Sequence, residues 1–483
     1  MDFEPVIGLE IHARLLTQTK IFCGCSATFG APANSHVCPV CMGLPGALPA
    51  LNKRAVEHAI KASLAFGCTI NQTSIFARKN YFYPDLPKGY QISQYEQPVA
   101  SKGLLEYGFG AVQRRIGIVR VHLEEDAGKS LHSGFPDSDR KTYLDFNRSG
   151  VPLVEIVTEP EMNSAADAAR CFERLRSVLM AVGVNDGNME EGSLRCDANI
   201  SVRRVGEQAL GVKVEIKNIN SFRFLQRALE YEFERQIIVL QGGGVILQET
   251  RLWDAEDGRT YSMRIKEEAH DYRYFPEPDL PPLRISSEWI EEIRATLPEL
   301  PEVRRKRFVE DYGLPENDAL FLTQSRELAD FFELTATVTK NAKASSNWIM
   351  GELMRKLNEQ GISVAESSLL PYDLAGLIKL VDAGTITIPI AKVVFDKLYA
   401  SGRSAESIVQ EEGLGQIDDE VELERIVIET IRCNLKAAEQ YRAGKTTTLG
   451  FLVGQVMKAT GGTANPKLVN NLLRRLLHDQ TLE

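Results

Sequence analysis

The chain has 483 residues, of which 43% are hydrophobic and 25% are charged, and its formal net charge is −10. This length exceeds what one hydrophobic core usually organises, so we expect two or three domains with an ordinary globular composition. The first residues lack a signal-peptide pattern, and no apolar run of about eighteen residues occurs, so we expect neither a secretory leader nor a membrane span. We therefore expect a cytoplasmic protein.

The charge is unevenly distributed along the chain. Residues 430–483 carry eight basic side chains against three acidic ones, whereas the preceding residues are acidic overall. A basic tail on an acidic body is typical of an RNA-binding appendage, but an ordinary helical surface with a local charge excess has the same composition. Charge alone leaves both interpretations open.

Short alternating segments dominate the chain to about residue 290. The stretches VIGLEIHARL, IGIVRVHLEE, LRCDANISVRR and VKVEIKN all alternate between apolar and polar residues. This period predicts strands of a largely antiparallel α+β domain, with helices at residues 164–182 and 221–241. The proline-rich stretch YFPEPDLPPL breaks any regular element and marks the edge of that domain.

The rest of the chain has a helical pattern. We expect helical stretches at residues 328–360, 371–383, 421–442, 448–460 and 466–477. Gly461 and Gly462 are suited to end one helix, and Pro466 is suited to begin the next. The chain then divides into a catalytic domain, an all-α helical domain and a helical tail domain, which we expect at residues 1–292, 293–405 and 406–483.

Four of the eight cysteines lie close together in the sequence. They form a C-x-C pair and a C-x-x-C pair with twelve residues between them: Cys23, Cys25, Cys38 and Cys41. Four thiolates complete a tetrahedral zinc shell without a position for water, so we expect a structural zinc that pins a loop. Reduced thiols without a metal are the alternative, and His36 is the competing ligand. We interpret the other cysteines as small core residues: Cys68, Cys171, Cys196 and Cys433.

Strand alternation predicts which side chains share a face. In the first strand Ile7, Leu9 and Ile11 face a core, and the opposite side carries Glu10, His12 and Arg14. In IVRVHLEEDAGK the apolar row is Val119, Val121 and Leu123, which extends to Glu125, with His122 and Glu124 opposite. A carboxylate that continues an apolar row must be paired, bind a metal or lie beyond the strand.

Two further strands present polar rows. These rows are Arg195, Asp197, Asn199, Ser201 and Arg203 in one strand, and Lys213, Glu215 and Lys217 in the other. A solvated sheet face explains any one of these rows. Together, the acids and the histidine beside lysines and arginines suggest a magnesium and phosphate site, whose acidic members we take as Glu10, Glu124, Glu125 and the loop residues Glu190 and Glu191.

Several common signals are absent from the sequence. The segment AGKTTT lacks the first glycine of a phosphate-binding loop, and no dinucleotide fingerprint, HExxH motif or G-x-S-x-G elbow occurs. The segment NYFYPDLPKGYQ groups Tyr81, Phe82, Tyr83 and Tyr90 around two prolines. Such aromatic clusters usually fix a loop, although one can stack on a base.

The longer motifs resemble one known family. IGLEIHARL, CPVCMGLPGALP, KNYFYPDLPKGYQISQ, HLEEDAGK, DFNRSGVPLVEIVTEP, GSLRCDANISVR and EIKNINSF occur in the order found in the B subunits of tRNA-dependent aspartyl/glutamyl amidotransferases. The closing GFLVGQVMKATGGTANPKLVNNLL is similar to the tail domain of the same family. The resemblance covers nearly the whole chain.

This resemblance implies an ATP-dependent ligase of protein biosynthesis that amidates misacylated tRNA. In the family, ATP phosphorylates the side-chain carboxylate of Glu-tRNA(Gln) or Asp-tRNA(Asn), and ammonia then displaces phosphate to give Gln-tRNA(Gln) or Asn-tRNA(Asn). The ammonia comes from glutamine through an amidase A subunit, and a small C subunit completes a heterotrimer. The expected cofactors are ATP, Mg²⁺ and Zn²⁺, the first domain would be the family's cradle domain, and the helical domain and tail would bind tRNA.

The polar strand rows and the resemblance together suggest roles for individual residues. The expected catalytic residues are Glu10, His12, Glu125, Lys213, Glu215 and Lys217. The expected cofactor-binding residues are Arg195, Asp197, Asn199, Ser201 and Asn218. The expected magnesium ligands are Glu10, His12, Glu124, Glu125 and Glu190.

Two other functions compete with this interpretation. A non-catalytic, zinc-containing tRNA-binding subunit explains the cysteines and the basic tail, but it leaves the acid and histidine rows without a role. A self-sufficient glutamine hydrolase needs an activated cysteine or serine, which the sequence does not provide.

Overall fold

The computed structural model describes residues 3–109, 112–265, 272–415 and 420–478. The chain divides into two compact units, Met1–Pro301 and Glu302–Glu483. The first unit combines sheets with helices, and the helices from Glu302 onward form the second. This arrangement confirms the predicted α+β class with a helical C-terminal region, whereas the division into three domains stays a prediction.

The first unit contains most of the regular structure that surrounds the polar residues. Its strands are β1 (Phe3–Arg14), β2 (Thr69–Ile70), β3 (Thr73–Ser74), β4 (Phe76–Asn80), β5 (Tyr90–Gln94), β6 (Ala100–Phe109), β7 (Val112–Glu125), β8 (Lys129–Leu131), β9 (Tyr143–Asp145), β10 (Pro152–Thr158), β11 (Leu194–Arg204), β12 (Val214–Ile219), β13 (Glu249–Asp254), β14 (Arg259–Ile265), β15 (Phe275–Pro276) and β16 (Leu283–Arg284). Its helices are α1 (Lys53–Ala65), α2 (Ala165–Ala181), α3 (Phe222–Gln241) and α4 (Ser287–Ala295).

Nine strands form the main sheet in the order β14-β13-β12-β11-β1-β10-β7-β6-β2. Strands β12 and β13 are parallel, and all other neighbours in this sheet are antiparallel. A small sheet of order β15-β4-β5 packs with β5 against β7. The sheet topology thus places β1 at the centre, where both of its neighbours can contribute side chains to one site.

One face of the main sheet packs against the helices. Ile7, Leu9 and Ile11 of β1 are at most 1% exposed and belong to a core that includes residues of α1, α2 and α3. Glu10 and His12 alternate with them and lie on the opposite face, as predicted. The apolar residues of β1 therefore form part of the core, and its polar residues lie on the opposite face of the sheet.

Helix starts in this unit follow ordinary capping chemistry. The side chains of Asn52, Ser164 and Ser221 accept hydrogen bonds from backbone N–H groups in the first turns of α1, α2 and α3. Helices α2 and α3 confirm the predicted helices at 164–182 and 221–241. Helix α1 is not among the predicted helices, although its apolar residues recur with a helical period and its start is capped by Asn52.

One predicted apolar row is wrong in its register. Ile118 and Val121 are buried, whereas Val119 between them is half-buried. The pairing of β10 with β7 shifts between Val157 and Thr158, which is a β-bulge. A bulge inserts a residue and breaks strict alternation, so Ile118 occupies the core position that alternation assigns to Val119.

The second unit is helical in its described residues. Its helices are α5 (Pro301–Glu310), α6 (Glu316–Leu322), α7 (Arg326–Thr339), α8 (Ala342–Trp348), α9 (Met354–Gln360), α10 (Pro371–Asp382), α11 (Ile388–Ser401), α12 (Ala405–Glu411), α13 (Glu420–Cys433), α14 (Leu435–Arg442), α15 (Thr448–Ala459) and α16 (Pro466–His478). A π-helical turn joins α8 to α9. One hydrophobic cluster spans Phe308 to Val409, and another spans Leu423 to Leu477.

Two predicted helical stretches are interrupted. The stretch at 328–360 is broken after Thr339, where Lys340 has a φ of 57°, and that at 421–442 is broken at Asn434. Helices α15 and α16 follow the prediction, with Gly461 and Gly462 between them. Cys433 is exposed, so its interpretation as a core residue is wrong. Among the described helices, none combines the length and apolar character needed to cross a bilayer.

Candidate functional site

The four clustered cysteines converge in the first unit. The Sγ atoms of Cys23, Cys25, Cys38 and Cys41 all lie within 4.8 Å of one another. His36, the competing ligand, is not a member of this group in the described part of the chain. Four sulfur donors at this spacing suit a tetrahedral metal such as zinc and leave no position for a substrate. The cluster is therefore suited to hold a loop in place.

The surroundings of the cluster favour a thiolate. The hydrogen bond from Cys23 lowers the pKa of Cys41 and raises that of Cys23 itself. Lys20 is fully buried beside them, and its Nζ lies 3.6 Å from the Cys41 Sγ, 2.7 Å from the His36 carbonyl oxygen and 3.2 Å from that of Phe146. This buried ammonium places a positive charge against sulfur atoms that must be negative to bind a metal.

The cysteine loop is also docked on residues 144–147. Asn34 donates to the carbonyl oxygen of Leu144 at 2.9 Å and accepts from the backbone N–H of Phe146 at 2.8 Å. The backbone N–H of His36 donates to Asn147 at 2.8 Å. These bonds hold the loop against the end of β9 and the residues that follow it.

A row of charged side chains crosses the polar face of the main sheet. His12 on β1 lies opposite Arg195 on β11 and Glu155 on β10, and Glu155 lies opposite His122 on β7. Because directly opposed residues in antiparallel strands have neighbouring side chains, four strands contribute to one row. Glu124 reaches the same group from the end of β7.

The centre of this row is a group of two histidines and two glutamates. The His12 Nε2 lies 3.4 Å from Glu124 Oε1 and 3.1 Å from Glu155 Oε2. The His122 Nε2 lies 3.4 Å from the same Glu155 oxygen and 3.7 Å from Glu124 Oε2. Glu124 and His122 are buried, as is Glu155. Such buried carboxylates require a positive partner or a metal.

The charges in this group stabilise one another. Burial opposes the imidazolium, but Glu155 and Glu124 outweigh it and raise the pKa of His12. The same two carboxylates raise the pKa of His122 to about 9 against burial. Burial likewise opposes both carboxylates, but the histidines hold the pKa of Glu155 well below its usual value and lower that of Glu124. The two carboxylates therefore attract positive charge strongly, whether it comes from the imidazole protons or from a bound cation.

Two features of this group are compatible with a bound cation. The ligand atoms of His12, Glu124 and Glu155 lie within 4.8 Å of one another. The Nδ1 atoms of His12 and His122 are buried without a hydrogen-bond partner in the described part of the chain. Carboxylate oxygens suit Mg²⁺, and imidazole nitrogens also suit transition metals. The residues present thus fit a divalent cation, and the unpaired imidazole nitrogens remain available to hydrogen-bond around it.

Cations from other elements surround the group. Lys79 of β4 is close enough that, despite burial, Tyr274, Glu124 and Glu155 raise its pKa. The Nη2 atom of Arg120 lies 3.8 Å from the Oε1 atom of Glu155. Arg195 pairs with Asp126 at 3.1 Å, and Arg148 approaches the same carboxylate at 3.5 Å. Guanidinium and ammonium groups in this number are suited to phosphate oxygens.

A second polar row crosses the same face of the sheet at Glu10, two residues before His12 in β1. Glu10 accepts a hydrogen bond from the Asn199 side chain at 3.0 Å and lies opposite Asp197. Lys217 pairs with Asp197 at 2.6 Å and lies 3.6 Å from Glu215. The structure thus brings these five predicted residues together, beside the His12 group.

Glu125 lies elsewhere, as the extended apolar row predicts. It is buried, pairs with Lys88, and accepts from the backbone N–H of Ile92 at 2.9 Å. Together with Cys23 and Cys41 this pair lines a cavity of about 100 Å³. The cysteine loop is therefore a wall of the cavity that contains Glu125.

The other predicted site residues are more scattered. Ser201 is buried in β11, and Lys213 is exposed just before β12. Asn218 has a φ of 66° and lies at the bulge between β12 and β11, and its side chain joins β12 to β13 by donating to the Trp253 carbonyl oxygen. Glu190 and Glu191 are exposed in the loop before β11. The roles expected of these residues stay predictions.

Sequence reasoning does not select Glu155 or Lys79 as site residues. A signal for Glu155 is nevertheless present, because it is a single carboxylate within the apolar strand PLVEIVT. Such a carboxylate must be paired or bind a metal, which is the argument already used for Glu125. Alternation places His122 on the polar face without identifying it as a ligand. Lys79 gives no such signal, because only the packing of the small sheet on β7 brings it to the site.

Comparisons with known proteins show the family of this chain. Residues 5–291 match the family described as the GatB/GatE catalytic domain, and residues 330–477 match the GatB domain. The chain is 54% identical over 479 residues to the B subunit of the aspartyl/glutamyl-tRNA(Asn/Gln) amidotransferase of Thermodesulfovibrio yellowstonii, a match that covers 99% of this chain and 100% of that protein. The protein of the same name from Carboxydothermus hydrogenoformans is 55% identical over 473 residues, or 98% of each chain. The chain therefore belongs to the family of aspartyl/glutamyl-tRNA(Asn/Gln) amidotransferase B subunits.

Proposed function

We propose that this chain carries out ATP-dependent amidation of misacylated tRNA. A side-chain carboxylate oxygen of Glu-tRNA(Gln) or Asp-tRNA(Asn) attacks the γ-phosphorus of ATP, and ADP leaves. Ammonia then attacks the acyl carbon of the resulting acyl phosphate, inorganic phosphate leaves, and the nitrogen loses a proton to give the amide. A carboxylate resists ammonia because its oxygen is a poor leaving group, so the first step supplies a better one.

The observation that supports this proposal is the group of His12, His122, Glu124 and Glu155 on the polar face. This group has buried carboxylates and two imidazole nitrogens that lack a hydrogen-bond partner among the described residues. Lys79, Arg120 and Arg195 lie beside it. Phosphoryl transfer depends mainly on positioning and on neutralising phosphate charge, which such groups can do. The relatives' names connect this chemistry with aminoacyl-tRNA.

In the proposed mechanism His12, Glu124 and Glu155 hold Mg²⁺, which when bound neutralises phosphate charge. Arg195 is oriented by Asp126, and Arg120 by Glu155, so both guanidinium groups are available to phosphate oxygens. The second row, which contains Glu10 and Lys217, orients the acceptor carboxylate. Glu125 keeps an expected catalytic role in the cavity beside the cysteine loop, where it pairs with Lys88, and is not a ligand of the Mg²⁺ on His12. The other expected catalytic, cofactor-binding and ligand roles stay within this proposal for Lys213, Glu215, Asp197, Asn199, Ser201, Asn218 and Glu190.

The proposal includes partners and a structural metal. An amidase A subunit supplies ammonia from glutamine, a small C subunit completes the heterotrimer, and the helical and tail domains bind the tRNA body through its phosphates. Zinc on the four cysteines fixes the loop beside Glu125. We place the protein in the cytoplasm, because reducing conditions preserve such thiols.

The test compares the purified chain, alone and with its A and C subunits, for formation of Gln-tRNA(Gln). The assay contains ATP, Mg²⁺, ammonium and Glu-tRNA(Gln). Glu155→Gln keeps the shape of the side chain but removes its charge, and we expect the rate to fall at least about 100-fold. Glu106→Gln is the matched control, because Glu106 is half exposed and pairs only with Arg115 among the described residues. Thermal unfolding of both variants checks that each is folded.

The outcomes separate the two functions. Loss of amide formation in Glu155→Gln with unchanged tRNA binding supports catalysis on this chain. If the wild-type chain binds tRNA yet forms no amide even with the A and C subunits, it is the non-catalytic, zinc-containing tRNA-binding subunit. An equal rate in wild type and Glu155→Gln would exclude the proposed magnesium site.

A further inference from the structure

Five tyrosines form a continuous ribbon along the small sheet and its neighbouring segments. Tyr95 stacks on Tyr274 with ring centroids 4.3 Å apart and an angle of 8° between planes. The series continues through Tyr272 and Tyr81 to Tyr83, with successive centroids 6.1 to 6.2 Å apart. A buried cluster would explain such contacts by core packing alone, but the two ends, Tyr95 and Tyr83, are 43% and 50% exposed. The ribbon therefore offers open aromatic surface at both ends.

The ribbon runs beside the charged group of the site. Lys79 lies 5.0 Å from the Tyr272 ring and 5.8 Å from that of Tyr81. Burial raises the pKa of the Tyr274 hydroxyl to about 12, and the Glu124 and Glu155 charges add to this effect while Lys79 opposes it. A ligand on the ribbon would thus have its reactive end within reach of the site.

A cleft of about 570 Å³ lies at the Tyr95 end. It is lined by Tyr95, by the basic residue Arg120 and the acidic residue Glu96, and by uncharged polar residues such as Asn71 and Gln97. The Nε of Arg120 is buried and has no hydrogen-bond partner among the described residues, while its Nη2 lies near Glu155. One arginine, whose side chain is 36% exposed, therefore joins the cleft to the metal-binding group.

We propose that the ribbon binds the single-stranded 3′ end of the aminoacyl-tRNA, with the terminal base stacked on the free face of Tyr95. This inference rests on the proposed function, since the amino acid is esterified to the terminal nucleotide and must reach the His12 group. Bases stack on aromatic rings without regard to sequence, and an arginine nearby suits the backbone. Amide and hydroxyl groups around the ring can bond to base edges.

The length of the ribbon favours a strand over ATP. The two exposed rings, Tyr95 and Tyr83, lie at opposite ends of the ribbon, so a strand can contact both of them, whereas a single adenine can contact only one. The exposure at both ends fits a strand that continues toward solvent. The adenine of ATP is the competing occupant, and the experiment distinguishes it.

The experiment uses the assembled enzyme and measures binding without requiring turnover. Uncharged tRNA(Gln), either complete or lacking its terminal nucleotide, is titrated against wild type, Tyr95→Ala and Tyr95→Phe. Tyr261→Ala is the matched control, because Tyr261 is 46% exposed at the other edge of the main sheet. The KM for ATP is measured in parallel wherever the enzyme turns over.

We expect the loss of the terminal nucleotide to weaken binding to wild type about 5- to 100-fold, and Tyr95→Ala to weaken binding of complete tRNA by a similar factor. Truncation should then cause no further loss in Tyr95→Ala, while Tyr95→Phe and Tyr261→Ala behave as wild type. Equal effects of Tyr95→Ala on complete and truncated tRNA would overturn the inference, as would an effect confined to the KM for ATP. Failure of wild type to form amide would instead refute the proposed function, since binding is scored separately.

Discussion

Lys20→Met tests whether a buried ammonium maintains the cysteine cluster. Methionine keeps most of the apolar stem but removes the charge and its donors. The Lys20 side chain is fully buried and donates to the carbonyl oxygens of His36 and Phe146 at 2.7 and 3.2 Å, with the Cys41 Sγ at 3.6 Å. The substitution therefore leaves the carbonyl oxygens of His36 and Phe146 without this hydrogen-bond donor. It also removes the positive charge beside the negative sulfur atoms.

The size of the effect follows from these contacts. Hydrogen bonds from a charged donor contribute about 1.5 to 3 kcal/mol each, and burial of the ammonium offsets part of this sum. We expect the free energy of unfolding of the metal-loaded protein to fall by about 3 kcal/mol. Loss of an outer-shell partner typically weakens a metal site by about 10- to 100-fold.

The assay follows zinc transfer from the loaded protein to a chromophoric chelator, together with urea unfolding. Lys53→Met is the control for loss of a lysine charge, since the Lys53 side chain is 76% exposed. Asn34→Ala breaks the docking of the same loop without changing its charge. If Lys20→Met retains zinc as well as wild type, the electrostatic reasoning is wrong. If Asn34→Ala releases zinc equally fast, docking rather than charge maintains the site.

Two further predictions concern stability. Burial, together with Arg54, lowers the pKa of His58 to about 4, and its Nε2 donates to the Leu16 carbonyl oxygen at 3.0 Å. Because the unfolded state binds a proton more readily between about pH 6.5 and 4, stability should fall by about 2 to 3 kcal/mol as pH decreases through this range. His58→Gln should flatten this dependence in urea unfolding, and an unchanged slope would contradict the assignment. A methyl group at Gly103 would lie 2.3 Å from the Cys68 Sγ, so Gly103→Ala should cost about 1 to 3 kcal/mol, whereas Gly454→Ala, which meets nothing within 4 Å, should be neutral or stabilising in thermal unfolding.

Local patterns are sufficient to predict much of the fold. The alternation in β1 assigns Ile7, Leu9 and Ile11 to the core and His12 to the polar face, because successive side chains on a strand point to opposite sides. The spacing of the four cysteines likewise indicates a shared metal, since two short chelating pairs restrict the geometry of the loop. Both signals are carried by residues close together in the chain.

Elements whose pattern depends on their partners cannot be predicted in the same way. The bulge at Val119 arises only when β7 pairs with β10, and the break after Thr339 interrupts a stretch whose apolar period continues. In each case the local sequence is compatible with more than one backbone, and tertiary contacts select the one observed.

The sequence by itself determined the residue types of the site, including its histidine, carboxylates and cysteine cluster. Only the tertiary structure decided that Glu155, rather than Glu125, lies with His12 and Glu124, and that Lys79 and the tyrosine ribbon lie nearby. The physical reason is that these neighbours come from strands far apart in the chain. Their distances depend on strand order, register and the packing of the small sheet on β7, and no local pattern encodes these features.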